Sequence, residues 1–315
     1  YEGEFDAPIW LPGEAAALRR AAEAQLAELD AQAARRRLLL AGEVRDAWWA
    51  WALSEAGRAA VAARVALARA LERDTARQVR GGNLPQTEGL LAAADLRDAE
   101  AALRAAEFEL RAAALAFRTL TGAEPTPGPP ETPAARPTGP DPRVAAAQSL
   151  IEAGRSEERF VAARNRANPE LGVQLRHERD AFGEPWGSRV LLRVTIPLQN
   201  RPLQQERLAE ARAAVTSGIA GLNAAERTVT GAVDTAREAE ATARAVLETT
   251  AARHAAARQQ AALFEQAYRA GQLPLIEVVR ARGALASADA ALRRARVGVG
   301  RAVSVTNQAL GTLPQ

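Results

Sequence analysis

Two stretches of this chain, residues 13–80 and 203–270, each run about 68 residues without a proline and are rich in Ala, Arg, Glu and Leu. These are strong helix formers. At 1.5 Å per residue each stretch predicts a helix of roughly 100 Å. Globular helices average about 11 residues, so the length points to a coiled coil or a helical repeat. In the second stretch Leu208, Val215, Leu222, Val229, Ala236 and Ala243 recur every seven residues, and Ala211, Gly218, Ala225, Ala232, Ala239 and Val246 follow three behind. This spacing predicts an apolar seam that supercoils with a neighbour. Half of the seam is nearly all Ala and Gly, so dense side-by-side packing is expected.

Each long helix reaches a matching break. The first reads Gly82-Asn83-Leu84-Pro85 and the second Gly271-Gln272-Leu273-Pro274, with Glu88 and Glu277 following. Gly suits the left-handed residue that closes a helix, and Pro suits the first turn of the next. Both breaks predict a tight hairpin with a shorter helix running back. The correspondence holds at a constant offset of 189: Leu96, Ala99, Leu103 and Arg104 match Leu285, Ala288, Leu292 and Arg293, and Gly122 and Pro125 match Gly311 and Pro314. The chain is an internal duplication, organised as a first repeat over 1–125, a connector over 126–142 and a second repeat over 143–315.

Residues 123–143 hold eight of the 17 prolines, so this segment is neither regular helix nor central strand. Asp141-Pro142 then reads as an N-cap and first helical position, opening a helix of about 24 residues to near Arg166. Beyond Asn168-Pro169, Leu171, Val173 and Leu175 alternate with Gly172, Gln174 and Arg176, and Val190, Leu192, Val194 and Ile196 alternate with Leu191, Arg193 and Thr195. These are two-faced strands joined as a hairpin. The segment EFDAPIWL is the first repeat's counterpart of the second strand, Phe5 matching Val194. A wall with lipid on one side and water on the other has this pattern; so does a small sheet with one buried face.

The formal charge is +3, and Arg is interleaved with Glu and Asp, as in RRAAEAQLAELDAQAARRR. That is the pattern of solvated helix faces and not of a nucleic-acid surface. Cysteine is absent, which excludes disulfides, a thiol nucleophile and Cys-ligated metal. His177 and His254, the only histidines, lack metal-ligand spacing, and no phosphate-binding loop, nucleophile elbow or HExxH motif occurs. No catalytic, cofactor-binding or metal residue is assigned, and no cofactor is expected.

A strand hairpin feeding very long helices, duplicated in one chain, resembles the TolC family of outer-membrane efflux proteins. APIWLPGEAAALRRAAEAQLAELDAQ and VTIPLQNRPLQQERLAEARAAV resemble its passage from a barrel strand through a bend into a long periplasmic helix. YRAGQLPLIEVVRARGALASADAALRRA resembles its hairpin tip and returning helix, and VTNQALGTLP its ending. The resemblance implies a mainly α fold with a small β part: duplicated α-helical hairpins forming a coiled-coil barrel, plus amphipathic strands contributing to a transmembrane β-barrel. It implies a homotrimer in the outer membrane of a Gram-negative bacterium, extending into the periplasm. Such a duct does no chemistry, so no enzyme activity is expected. It would dock on a periplasmic adaptor (a membrane fusion protein) and an inner-membrane pump of the proton-driven type. It would conduct exported heavy-metal ions or small toxic molecules, the branch to which PIWLPG points. A member carries two strands per repeat, whereas this first repeat begins at its second strand, so an N-terminal truncation is expected. A type I secretion exit duct and a soluble periplasmic scaffold or adaptor are the alternatives, although an adaptor would carry a lipoyl-like β domain that the sequence does not suggest.

The resemblance also assigns candidate residues. Gly82, Asn83, Leu84, Pro85, Gly271, Gln272, Leu273 and Pro274 are the tips that would meet the adaptor; the plain alternative is that they only turn the chain. Asp74, Arg77, Glu265, Gln266, Tyr268 and Arg269 are candidates for a tunnel constriction, where a trimer presents each charge three times; the alternative is helical surface pairing. Trp10 and Trp186 flank strands and are candidates for the membrane interface, against ordinary packing. Trp48, Trp49 and Trp51 lie on different faces of one helix, so at least one is expected inside the packed wall.

Overall fold

In the computed structural model, which describes residues 1–135, 139–164, 167–179, 183, 186–197 and 201–314, both proline-free stretches are single continuous helices. The order of elements is β1 (Glu2–Pro8), α1 (Glu14–Arg80), α2 (Gln86–Thr121), α3 (Pro142–Ala163), β2 (Glu170–Glu178), β3 (Gly187–Thr195), α4 (Arg201–Arg269) and α5 (Leu275–Ala309). α1 has 67 residues and α4 has 69. The strands form one antiparallel sheet in the order β1-β2-β3. Two compact units result, one of residues 1–36 and 139–229, the other of 37–138 and 230–315. Both long helices contribute to both units, so these units cut across the sequence repeats.

In the first unit α3 lies antiparallel on the start of α4. A Cβ on Gly218 would come within 3.1 Å of Ile151 Cγ1, so the small residue on the seam is what lets the two helices approach. Glu158 and Arg212 close the flank at 2.9 Å. α3 opens as its sequence predicts: Asp141 is the N-cap and accepts from the Arg143 N–H at 2.8 Å, with Pro142 as the first helical residue. Burial works against the Asp141 charge, but the hydrogen bonds and positive charge of Arg143 outweigh it and hold the carboxyl below its ordinary range. The helix is shorter than expected. It ends at Ala163, with Arg164 as C-cap; Arg166 lies outside the described residues.

The second unit packs α2 on the last part of α1 and α5 on the last part of α4. Val65 and Ala68 of α1 meet Ala99 of α2, flanked by Leu96 and Leu103. Of the three mid-helix tryptophans, Trp49 and Trp51 are buried. Trp48 donates its indole N–H to the Thr126 carbonyl at 3.2 Å, which ties the start of the extended proline-rich connector to α1.

The heptad seam of α4 departs from its simple reading halfway along. Leu208, Ala211, Val215, Gly218, Leu222, Ala225 and Val229 are covered as expected, and Ala236 and Ala243 continue the seven-residue row. Ala239 and Val246, however, are exposed, and Glu240, Leu247 and His254 are covered in their place. One row stays fixed while its companion moves to the opposite side. The cause is a change of neighbour. α3 packs on α4 at Gly218, and the end of α5 meets it at Ala236, whose carbonyl lies near Thr306. A shift in the apolar repeat of this kind lets one helix serve two partners.

The switch predicts unequal responses to the same substitution on adjacent turns. Ala236→Leu, at a buried site, should lower stability by about 1–3 kcal/mol through overpacking. Ala239→Leu should change it by less than about 0.5 kcal/mol. Denaturant unfolding of the purified variants measures both.

Candidate functional site: the hairpin tips and the two-faced sheet

The two tips are built alike. At the first, Gly82 N–H bonds the Val79 carbonyl at 3.0 Å and Asn83 N–H the Gln78 carbonyl at 2.9 Å; at the second, Gly271 bonds Tyr268 and Gln272 bonds Ala267, both at 2.9 Å. This is the Schellman closure, which needs a left-handed residue after the helix. Gly82 and Gly271 supply it with φ of 74° and 72°. Pro85 and Pro274 occupy the N-cap, immediately before the first turn of each returning helix. Each leaves its carbonyl to accept from Glu88 or Glu277 at 3.1 Å, and the acid there lies favourably at the positive end of the new helix.

A cleft of about 500 Å³ brings the two tips together. Leu84 of the first tip and Gly271, Leu273 and Pro274 of the second line it; Gly82, Asn83, Pro85 and Gln272 do not. Its apolar floor is Leu71, Leu275 and Val278, with Tyr268 packed against them. Of the residues assigned to a constriction, Asp74, Glu265, Tyr268 and Arg269 line the cleft. Arg77 pairs with Asp74 at 3.0 Å on an exposed surface, and Gln266 is exposed away from the cleft. Helical surface pairing is thus present too, since Arg269 lies 3.9 Å from Glu265.

Sequence reasoning missed Arg282, which lines the cleft and holds Glu265 at 2.8 Å, and did not assign Glu88 to it. Neither residue has a local signal, because the partners come from the other turn of a hairpin or from the other repeat. Three buried polar atoms here, Glu88 Oε2, Tyr268 OH and Arg282 Nη1, have no hydrogen-bond partner among the described residues. Burial, then the negative charges of Glu88 and Asp74, push the Tyr268 phenol above its ordinary pKa. The cleft is therefore lined by polar groups of mixed charge over an apolar floor, with three of its polar atoms enclosed and unpaired among the described residues.

The sheet, in the other unit, has two chemically opposite faces. Its register pairs Phe5 with Val173 and Val173 with Leu192, and Leu175 with Val190. Side chains alternate across a strand, so these residues share a face with Leu171 and Val194. That face is uncovered: Leu192 is 74% exposed and Phe5 71%. On the other face Glu4 pairs with Arg193, Arg176 lies 3.2 Å from Glu178, and Arg189 lies 3.5 Å from Glu178. Trp10 and Trp186 stand beyond opposite ends of the sheet, 50% and 54% exposed. Trp186 stacks on His177 with ring centroids 5.0 Å apart. Trp10 borders a groove with Pro8, Glu14 and Phe160.

No family model matches the sequence, and no curated protein matches it. Solved structures do match in fold. An outer-membrane channel of Campylobacter jejuni, CmeC, superposes with a TM-score of 0.80 at 14% identity, covering 98% of this chain and 70% of its own. The outer-membrane protein VceC of Vibrio cholerae gives 0.77 at 17% identity, with coverages of 99% and 78%. The outer-membrane channel MtrE of Neisseria gonorrhoeae, in its open state, gives 0.72 at 16%, with 93% and 71%. The chain has the fold of these channels, mainly α with duplicated long hairpins and a small antiparallel sheet.

Two outcomes follow from the tip geometry. Gly82→Ala and Gly271→Ala each force an L side chain into the left-handed region and should cost about 1 kcal/mol, measured by denaturant unfolding. A raised Tyr268 pKa means that the folded state holds the phenol proton more tightly than the unfolded chain does. Its stabilising share is whole below the unfolded value near pH 10 and is lost as pH rises through the folded value. Tyrosinate absorbance titration should show a late step that Tyr268→Phe removes, together with that part of the alkaline loss of stability.

Proposed function

We propose that this chain is a subunit of an outer-membrane duct that passively conducts exported substrates, as part of a three-component efflux assembly. The observation that carries the reading is the sheet. One face is apolar and exposed among the described residues, while the opposite face is ion-paired. Nine-residue strands, as in β2 and β3, match the roughly 9–11 residues that a tilted strand needs to cross the apolar band of an outer-membrane barrel. Lipid is the surrounding that makes such a face stable, and water inside a barrel accounts for the charged one. A free-standing water-soluble scaffold would leave the apolar face unexplained. Among the described residues no helix is long and apolar enough to cross a membrane, so the sheet is the part of this chain proposed to do so.

The outer edges of β1 and β3 pair with no other strand among the described residues. Lipid cannot satisfy unpaired backbone groups, so these edges call for further strands: the first-repeat strand that the resemblance places before β1, and strands of adjoining subunits in a closed homotrimer. The fold shared with CmeC, VceC and MtrE supports the same reading. In it the eight tip residues, Gly82 to Pro85 and Gly271 to Pro274, meet a periplasmic adaptor, which joins the duct to a proton-driven inner-membrane pump. Asp74, Arg77, Glu265, Gln266, Tyr268 and Arg269 narrow the tunnel near that end. Trp10 and Trp186 sit at the two membrane interfaces. Heavy-metal ions or small toxic molecules are the proposed cargo, supported by the resemblance of PIWLPG to that branch. The ordinary role of the protein is passage, without catalysis.

The duct should fractionate with the outer membrane, require detergent, behave as a trimer in light scattering and conduct ions in planar bilayers. Full-length protein recovered as a soluble monomer would refute it. A paired substitution probes the faces. Leu192→Arg places a charge on the apolar face and should cost about 2–4 kcal/mol of membrane stability, with loss of membrane-inserted protein. Leu191→Arg, one residue away on the polar face, should insert normally.

A further inference from the structure

The last two turns of α5 are buried yet polar. Ser304 is 1% exposed, Asn307 4% and Thr306 8%. Apolar residues would serve a plain coiled-coil seam better, so these side chains have another task, which their partners identify. The Asn307 amide pairs with two backbone groups of the inter-repeat connector. Its Nδ2 donates to the Thr132 carbonyl at 3.0 Å, and its Oδ1 accepts from the Ala134 N–H at 2.9 Å. One side chain thus replaces the neighbouring strand that an extended segment otherwise needs. Nδ2 also lies 3.0 Å from Glu131 Oε2, and Ser304 donates to the same carboxylate at 3.3 Å.

Glu131 in turn holds Arg45 of α1, whose Nε lies 2.9 Å from Oε1. Arg45 is 7% exposed, and its Nη1 is shared by the Gln308 side-chain oxygen and the Thr312 carbonyl. Gln308 reaches α1 a second time by donating to the Leu38 carbonyl at 2.7 Å. Thr306 faces the other way, with its hydroxyl 3.0 Å from Glu240 of α4. Residues 304–308 therefore bind three elements, α1, α4 and the connector, and Asn307, Gln308, Arg45 and Glu131 all find partners within the chain. The tip cleft of the same unit is the opposite case, with Glu88, Tyr268 and Arg282 each left with an unmet polar atom. Fully satisfied polar networks are rigid, and incompletely satisfied ones yield first.

We infer that residues 304–308 are a clamp that fastens the inter-repeat connector to α1 and α4, and that this clamp is a cooperative unit separate from the hairpin tips. The clamp itself stands on the geometry of this chain. Its use, as the fixed end of the α4–α5 hairpin while the tips rearrange, rests on the duct reading.

Hydrogen exchange on the full chain in detergent tests the clamp. Asn307→Leu keeps the side-chain volume and removes both amide bonds. The Ala134 amide and its neighbours over 126–135 should then exchange about tenfold faster, while Gly82, Asn83, Gly271 and Gln272 keep their wild-type rates. Gly271→Ala should do the converse. Should the leucine variant fail to assemble, Asn307→Ser tests the same bonds with a smaller polar group, and Thr306→Val removes the α4 link alone. A connector protected as in wild type after loss of the Asn307 amide overturns the clamp. Tips and connector accelerating together in both variants overturns its independence. A wild-type protein that conducts nothing sinks the duct reading and leaves the exchange result to judge the clamp.

Discussion

A helix of 67 or 69 residues has no core of its own, so every turn of its apolar seam must be covered by a neighbour. This constraint organises the whole chain. It explains why the returning helices α2 and α5 follow each tip directly. It also explains why the seam of α4 changes companion row near residue 236, where the end of α5 becomes its neighbour. Small residues let the pairs come close, as Gly218 does for Ile151, and the exposed faces carry Arg with Glu or Asp, which keeps them solvated. Most of the helical stability comes from this pairing, since propensity alone makes a weak contribution per residue.

Where seam packing ends, polar chemistry takes over, in two different styles. At the buried end of α5 the side chains of Asn307, Gln308, Glu131 and Arg45 satisfy one another and the backbone of a proline-rich segment that has no ladder of its own. At the tips, backbone hydrogen bonds alone close the turns, and the side chains around the cleft keep unmet capacity. The contrast is between a satisfied joint and an unsatisfied cleft. A buried joint tolerates few unpaired groups, because each costs the desolvation of a polar atom.

Much of the architecture is legible in the residues. The long helices, both glycine turns, the Asp141 cap and the alternation of the three strands all arise from local rules: helix propensity, φ sign, and a period of two or of three and a half. Where the reading fell short, a neighbour decided. Ala239 and Val246 satisfy the heptad yet are exposed, because a simple repeat assumes one partner along its length. Asp74 and Glu265 were chosen by their nearness to the tips, whereas Arg282 and Glu88 were not assigned, since sequence spacing says nothing about a cleft made by two repeats.

By itself, then, the order of residues determined that this protein is a duplicated pair of long helical hairpins with a two-faced sheet, because periodicity and turn chemistry act over a few residues. The tertiary structure alone decided which side of each helix is covered at each level, which charges share a cleft, and that the buried Ser304 and Asn307 near the end of α5 grip the connector. Those outcomes depend on contacts between residues as far apart as Leu38 and Gln308, and no local rule reaches that far.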